Sequence, residues 1–219
     1  MPDFAIERQC KGLVCGIDEA GRGPLAGPVV AAAVILEPRR FPKMLRGGLD
    51  DSKVLTSQQR EACYRALWQC AGRGAARIGI GAASTAEIDR LNILRAALLA
   101  MARAVAVLGV RPDTALVDGN MAPPVGCAVQ TVVKGDALSF SIAAASVIAK
   151  VTRDRIMRGL APRYPGYGWE TNVGYATQKH GEAIWRLGVT RHHRRSFAPV
   201  RLAAEGDLPL FAALETGSP

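Results

Sequence analysis

Apolar positions fall in short blocks along the chain, and their spacing changes from block to block. Leu13 to Ile17 is an apolar run that follows polar residues, and Val29 to Leu36 is a second, rich in Val, Ile and Ala. Gly and Pro punctuate the stretch between them, so the pattern predicts two neighbouring strands. Ala76 to Ala83, where Ile78 and Ile80 alternate with glycines, predicts a third strand; Ala115 to Val117 and Ala128 to Val133 predict a fourth and a fifth. Helical spacing separates them. Thr56 with Gln59 forms a capping box, and Cys63, Ala66, Leu67 and Cys70 follow at i, i+3, i+4, i+7, which predicts an amphipathic helix over 57–71. Ser84 with Glu87 forms a second box, after which Leu91, Leu94, Leu98, Met101, Val105 and Leu108 predict one long helix over 85–108. A third helix is expected over Leu138 to Met157, with Ile142, Ala145, Ala149 and Ile156 on one face, and a shorter one after Thr177, ending at Gly188. Trp68 and Trp185 read as core residues of their helices. Strands first, then strands alternating with helices, indicate an α/β or α+β chain with a mixed sheet.

Charge narrows the partners. Lys and Arg number 28 against 19 Asp and Glu, a formal charge of +9, which favours a polyanion, above all nucleic acid. The chain's 219 residues suit one domain with an elaboration or tail. The five cysteines form no C-x-x-C pair and read as reduced residues of a cytoplasmic protein. The amino-terminal MPDFAIERQCKG is charged where a signal peptide needs an apolar run, and no stretch is apolar enough for a membrane span, so no membrane is expected.

The chemistry gathers at strand ends. Leu13 to Ile17 closes on Asp18-Glu19, Ala115 to Val117 on Asp118-Gly119, and Thr131 to Val133 on Lys134-Gly135-Asp136. One acidic turn is ordinary surface, but three in register with three strands point to convergence, because sites collect at the carboxyl ends of parallel strands. Asp18 and Glu19 would face opposite sides of a regular strand, so the glycines after them must bend the chain if both serve one site. Like charges about 4 Å apart repel by roughly 4 kcal/mol at an effective dielectric of 20, so such a cluster must hold cations or protons. Oxygen-only ligands favour Mg²⁺ or Mn²⁺, and the three histidines, His180, His192 and His193, show no zinc spacing. Metals in an acidic pocket of a basic protein suit phosphodiester hydrolysis. Gly21 to Gly27 resembles a dinucleotide loop only superficially: its spacing is wrong and Pro24 removes a donor.

At this point the chain resembles bacterial ribonuclease HII, the type 2 ribonuclease H. The shared motifs are GIDEAGRGPLAGPVVAAAV at 16–34, DSKVL at 51–55, VDGN at 117–120, KGD at 134–136, AAASVIAKVTRD at 143–154, GYATQKH at 174–180 and HRRSFAPV at 193–200. The resemblance implies a ribonuclease H-like α/β fold, a mixed five-stranded sheet flanked by helices, with a helical C-terminal extension. It divides the chain into a catalytic core over 1–158, an extension contacting substrate over 159–205 and a flexible tail over 206–219. It implies Asp18, Glu19, Asp118 and Asp136 as catalytic metal ligands for Mn²⁺ or Mg²⁺. It also implies that Gly21, Arg22 and Gly23 read the RNA to DNA junction and that Tyr175 stacks beneath the following sugar. The implied substrates are RNA/DNA hybrids and DNA duplexes containing ribonucleotides, nicked on the 5′ side to leave 3′-hydroxyl and 5′-phosphate ends. The implied biological role is removal of ribonucleotides and RNA primers. The chain is expected to be a monomer, with a sliding clamp as a candidate partner of the tail. Val173 departs from the lysine that many relatives carry there, which puts one phosphate contact in doubt.

Several residues stay open on the sequence alone. Ser52 and Lys53 beside Asp51 suit phosphate or metal-site support, whereas Arg153 with Asp154 reads as a structural ion pair and His180 as a cap or packing residue. The run Arg191-His192-His193-Arg194-Arg195 suits a solvated face or duplex backbone contact equally. A silent hybrid-binding protein is the rival reading, and the acid set argues against it, because a pure binder gains nothing from carboxylates facing phosphate.

Overall fold

The structure is a computed structural model that describes residues 1–42, 45, 48, 49 and 55–206. The expected tail beyond Gly206, and Ser52 and Lys53, lie outside the described residues. Five strands form one sheet: β1 (Val14–Ala20), β2 (Val29–Leu36), β3 (Ala76–Ala83), β4 (Thr114–Asp118) and β5 (Ala128–Val132), in the order β3-β2-β1-β4-β5. β1 runs antiparallel to β2 and parallel to β4, which in turn runs parallel to β5, so the sheet is mixed as expected. The helices whose bounds fall among the described residues are α1 (Ala5–Gln9), α2 (Ser57–Gly72), α3 (Thr85–Leu91), α4 (Ile93–Ala106), α5 (Phe140–Leu160), α6 (Trp169–Asn172), α7 (Gln178–Leu187) and α8 (Ala198–Glu205).

Both predicted capping boxes form. Thr56 Oγ1 accepts from Gln59 N at 3.2 Å while Thr56 N donates to Gln59 Oε1, and Ser84 with Glu87 does the same at the start of α3. The expected single helix over 85–108 is instead broken at Asn92, whose φ of +70° leaves the helical region. Asn92 Oδ1 then accepts from Arg95 N and restarts the chain as α4. The apolar 3/4 spacing runs through the break undisturbed, which is why periodicity alone misses it.

The chain divides into two compact units: residues 1–20, 30–82 and 97–152 make the first, and 21–29, 83–96 and those from 153 on make the second. In the first, the alanine-rich start of α5 buries Ala143, Ala144, Ala145 and Ala149 with Ala32, Val34 and Leu36 of β2, and Phe4, Phe41 and Phe140 pack their rings 4.9–5.7 Å apart. Small residues here set spacing. A Cβ on Gly16 of β1 would lie 2.1 Å from the Ser141 carbonyl carbon, and Cβ atoms on Gly79 and Gly81 of β3 would lie 2.1 and 2.2 Å from the Ala104 and Ala100 oxygens of α4. The glycine alternation in β3 is therefore a close helix–strand approach. Gly16→Ala is expected to destabilise by about 3 kcal/mol, since backbone on both sides has no room to yield; urea unfolding midpoints measure it.

In the second unit Leu25, Ala26, Met157, Tyr167, Trp169 and Ile184 lead the core. Trp68 and Trp185, expected as core, are 40% and 46% exposed. Trp68 sits one position past Leu67 on α2 and packs on its flank beside Tyr64, while Trp185 sits one past buried Ile184 on α7, so each is rotated about 100° off the buried face.

Candidate active site

Sheet topology brings the acids together. β1, β4 and β5 are parallel neighbours, so their carboxyl ends share one edge, and the register pairs Ile17 with Val117 and Asp118 with Val132. Asp18 lies within β1, Asp118 is the last residue of β4, and Asp136 sits in a short 3₁₀ turn, Gly135–Ala137, just after β5. One carboxylate oxygen from each of Asp18, Asp118 and Asp136 lies within 4.8 Å of the other two. Asp18 and Asp136 are buried and Asp118 is half-buried.

Backbone amides fix two of the three. Asp18 Oδ1 accepts from Glu19 N at 2.7 Å, and Asp118 Oδ1 accepts from Gly135 N at 2.7 Å, tying the end of β4 to the turn that carries Asp136. Lys134, with φ of +56°, bends the chain there, and a Cβ on Gly135 would meet Ile142 Cδ1 at 2.5 Å. Burial pushes the Asp18 carboxyl well above the usual carboxylate range, and the neighbouring charges of Glu19 and Asp118 push it further; the Ser146 side chain and the Glu19 amide pull the other way.

Glu19 is adjacent to this set without belonging to the mutually close three. β1 continues regularly to Ala20, pairing Asp18 with Ala32 and Glu19 with Ala31, so the two side chains alternate along the strand. The bend expected of the glycines after Glu19 falls just past the strand, at Gly21 with φ of +96°. Glu19 nevertheless acts on Asp18 electrostatically.

The three-carboxylate set fits a divalent cation by its chemistry: hard oxygen donors only, mutual distances within reach of one ion, and an Asp18 whose charge is unfavourable without compensation.

The other candidates lie in the second unit. Gly21 is buried with φ of +96°, Arg22 and Gly23 are exposed, and Tyr175 is 39% exposed. The Arg153 guanidinium carbon lies 5.5 Å from the centre of the Tyr175 ring. Arg153 and Asp154 form the expected ion pair at 3.9 Å, while Arg153 spends its hydrogen-bond donors on backbone carbonyls. His180 packs as expected, with Thr177 capping α7 at His180 N. The basic run is neither a solvated face nor a uniform contact surface, because His193 and Arg194 are buried. Arg153 had a signal: it stands four residues from both Ala149 and Met157, in phase with a buried face that carries Met157 in place of half-exposed Ile156. Arg194 had none, since a run of basic residues carries no phase.

Comparison with known proteins follows the same lines. The Ribonuclease HII family model matches residues 15–200. A ribonuclease HII of Rhodospirillum rubrum is 56% identical over 210 residues, covering 95% of each chain. The ribonuclease H2 structure from Pyrococcus horikoshii OT3 superposes with a TM-score of 0.71 at 28% identity, covering 89% of this chain and 98% of its own. An RNase HII of Archaeoglobus fulgidus, solved in a complex with PCNA, gives 0.67 at 27% identity, covering 83% and 93%.

Proposed function

The chain belongs to the ribonuclease HII family, and from that premise we propose that it nicks DNA duplexes on the 5′ side of single embedded ribonucleotides as well as cutting the RNA strand of hybrids. Membership makes it an RNA/DNA hybrid ribonuclease, a hydrolase of phosphodiester bonds. The observation that supports metal-dependent hydrolysis is the approach of Asp18, Asp118 and Asp136 to within 4.8 Å of one another.

In this reading Asp18, Glu19, Asp118 and Asp136 would hold Mn²⁺ or Mg²⁺, the three aspartates forming the closest set. A bound divalent cation supplies a lowered pKa for the attacking water and charge stabilisation at the leaving oxygen. The chain's own residues do the rest. The Glu19 and Gly135 amides hold the Asp18 and Asp118 carboxylates in fixed orientations, so little reorganisation is needed when charge develops. Because the Asp18 carboxyl is raised, it would have to give up its proton for a cation to be held there, so affinity would rise with pH. Gly21, Arg22 and Gly23 read the junction and its 2′-hydroxyl, and Tyr175 stacks beneath the next sugar. The products are 3′-hydroxyl and 5′-phosphate ends. Cytoplasmic ribonucleotide and primer removal by a monomer is the biological role proposed. None of the described helices is long and apolar enough to cross a membrane. Clamp binding by the tail follows the Archaeoglobus complex by analogy.

The test is a labelled duplex with one ribonucleotide. With Mn²⁺ or Mg²⁺ it is expected to be nicked on the 5′ side of that residue, and an all-DNA duplex to stay intact; an uncut ribonucleotide duplex with folded protein overturns the reading.

A further inference from the structure

The second unit buries two guanidinium groups, Arg153 and Arg194, each with no exposed surface. Removing a cation from water costs several kcal/mol unless its donors are satisfied, and an ion pair with a carboxylate is the usual remedy. Here Arg153 reaches Asp154 only at 3.9 Å, and both arginines direct their hydrogen bonds to backbone carbonyls. Arg194 donates to the carbonyls of Gly21 (2.5 Å), Arg22 (2.8 Å), Gly27 (3.0 Å) and Pro28 (3.3 Å). Arg153 donates to the carbonyls of Ala26 (3.0 Å), Pro28 (3.1 Å) and Val173 (3.0 Å). Five carbonyls of one eight-residue segment, 21–28, are thereby turned inward onto two planar forks.

The consequence follows from peptide geometry. In a trans peptide the C=O of one residue and the N–H of the next point in opposite directions. Drawing the Gly21 and Arg22 oxygens onto Arg194 therefore turns the N–H groups of Arg22 and Gly23 away from the guanidinium. Arg153 explains the first glycine: a Cβ on Gly21 would lie 2.0 Å from Arg153 Nε. The same Arg153 stacks 5.5 Å from the Tyr175 ring centre and bonds Val173, a β-branched residue held at φ of +42° two positions before Tyr175. Gly174 closes the arrangement, its oxygen accepting from Leu25 N at 2.8 Å.

We propose that Arg194 and Arg153 are positioning residues for ribose recognition: Arg194 sets the direction of the Arg22 and Gly23 amides, and Arg153 locks that segment to Tyr175. The proposal rests on the reading that Gly21 to Gly23 and Tyr175 contact the substrate. A lysine keeps the charge and loses the fork, so it cannot hold several carbonyls in one plane.

The experiment compares Arg194→Lys, Arg153→Lys and Tyr175→Ala with the parent on a duplex containing one ribonucleotide, alongside Mn²⁺ binding to the free proteins and their melting temperatures. For both lysine variants KM is expected to rise roughly 10- to 100-fold, the loss of charged hydrogen bonds, with kcat and Mn²⁺ affinity little changed. If Tyr175→Ala raises KM and the lysine variants do not, the positioning role is wrong while the substrate reading stands. If Tyr175→Ala leaves KM unchanged, the substrate reading fails and takes this proposal with it. If kcat, KM, Mn²⁺ affinity and melting temperature all deteriorate together in the lysine variants, the arginines are structural only and the proposal is overturned. Should those variants not fold, nitrogen NMR of the parent decides: Arg194 is expected to give resolved, slowly exchanging Nη protons, and a freely rotating guanidinium overturns the proposal.

Discussion

Asp118→Asn is expected to abolish cleavage while leaving hybrid binding intact. The amide keeps the side chain's shape and leaves an oxygen to accept from Gly135 N, so the turn carrying Asp136 stays in place. What disappears is one negative charge from a set of three whose oxygens lie within 4.8 Å. A metal site supplies several kcal/mol of transition-state stabilisation, so loss of its charge balance is expected to lower kcat/KM by about 10³-fold or more. Two further changes accompany it. Mn²⁺ affinity falls, and the metal-free protein melts no lower than the parent, because Asp118 is one of the charges that push the Asp18 carboxyl up. Cleavage of a labelled hybrid, metal titration and thermal melting measure the three effects separately. A variant that keeps a tenth of the parent's activity contradicts the metal-ligand role of Asp118.

Much of this site is legible in the sequence because it sits where local rules are strong. An apolar run closing on Asp18, and others closing on Asp118 and Asp136, can be read as strand ends, and parallel neighbours at β1, β4 and β5 bring them together. Glu19 is less legible. Strand alternation turns adjacent side chains apart and β1 keeps its pairing through Ala20, yet Glu19 still acts on the Asp18 carboxyl. Arg153 and Arg194 show a different limit. All their carbonyl partners but Val173 lie over 100 residues away, and a carbonyl leaves no mark in sequence because every residue has one. Asn92 belongs with them: a single left-handed residue splits a helix without altering its apolar spacing.

Acid is expected to destabilise this protein through His193. The ring is buried, and that burial, with the neighbouring imidazoles of His180 and His192, pushes its pKa down to about 3. The hydrogen bonds explain why a proton is unwelcome. Nδ1 accepts from Thr190 N at 3.0 Å, so the neutral ring carries its proton on Nε2 and donates to His180 Nε2 at 3.2 Å. His180 Nε2 also accepts from Trp169 Nε1, and its Nδ1–H donates to the Tyr175 carbonyl. A second proton on either ring sets donor against donor. The folded pKa of His193 is depressed below its ordinary value of 6.5, so its stabilising contribution is complete above that value and is lost as pH falls toward 3. At about 1.36 kcal/mol per unit, the loss reaches roughly 2 kcal/mol by pH 5 and roughly 5 kcal/mol near pH 3. His180, also depressed by burial, adds in the same direction. Asp18 opposes them, since a raised carboxyl binds its proton earlier in the folded state. The imidazoles are expected to dominate between pH 6.5 and 5 in urea unfolding followed across pH. His193→Gln, which cannot titrate, should flatten that slope; a variant that loses as much stability between pH 7 and pH 5 as the parent removes His193 from the explanation.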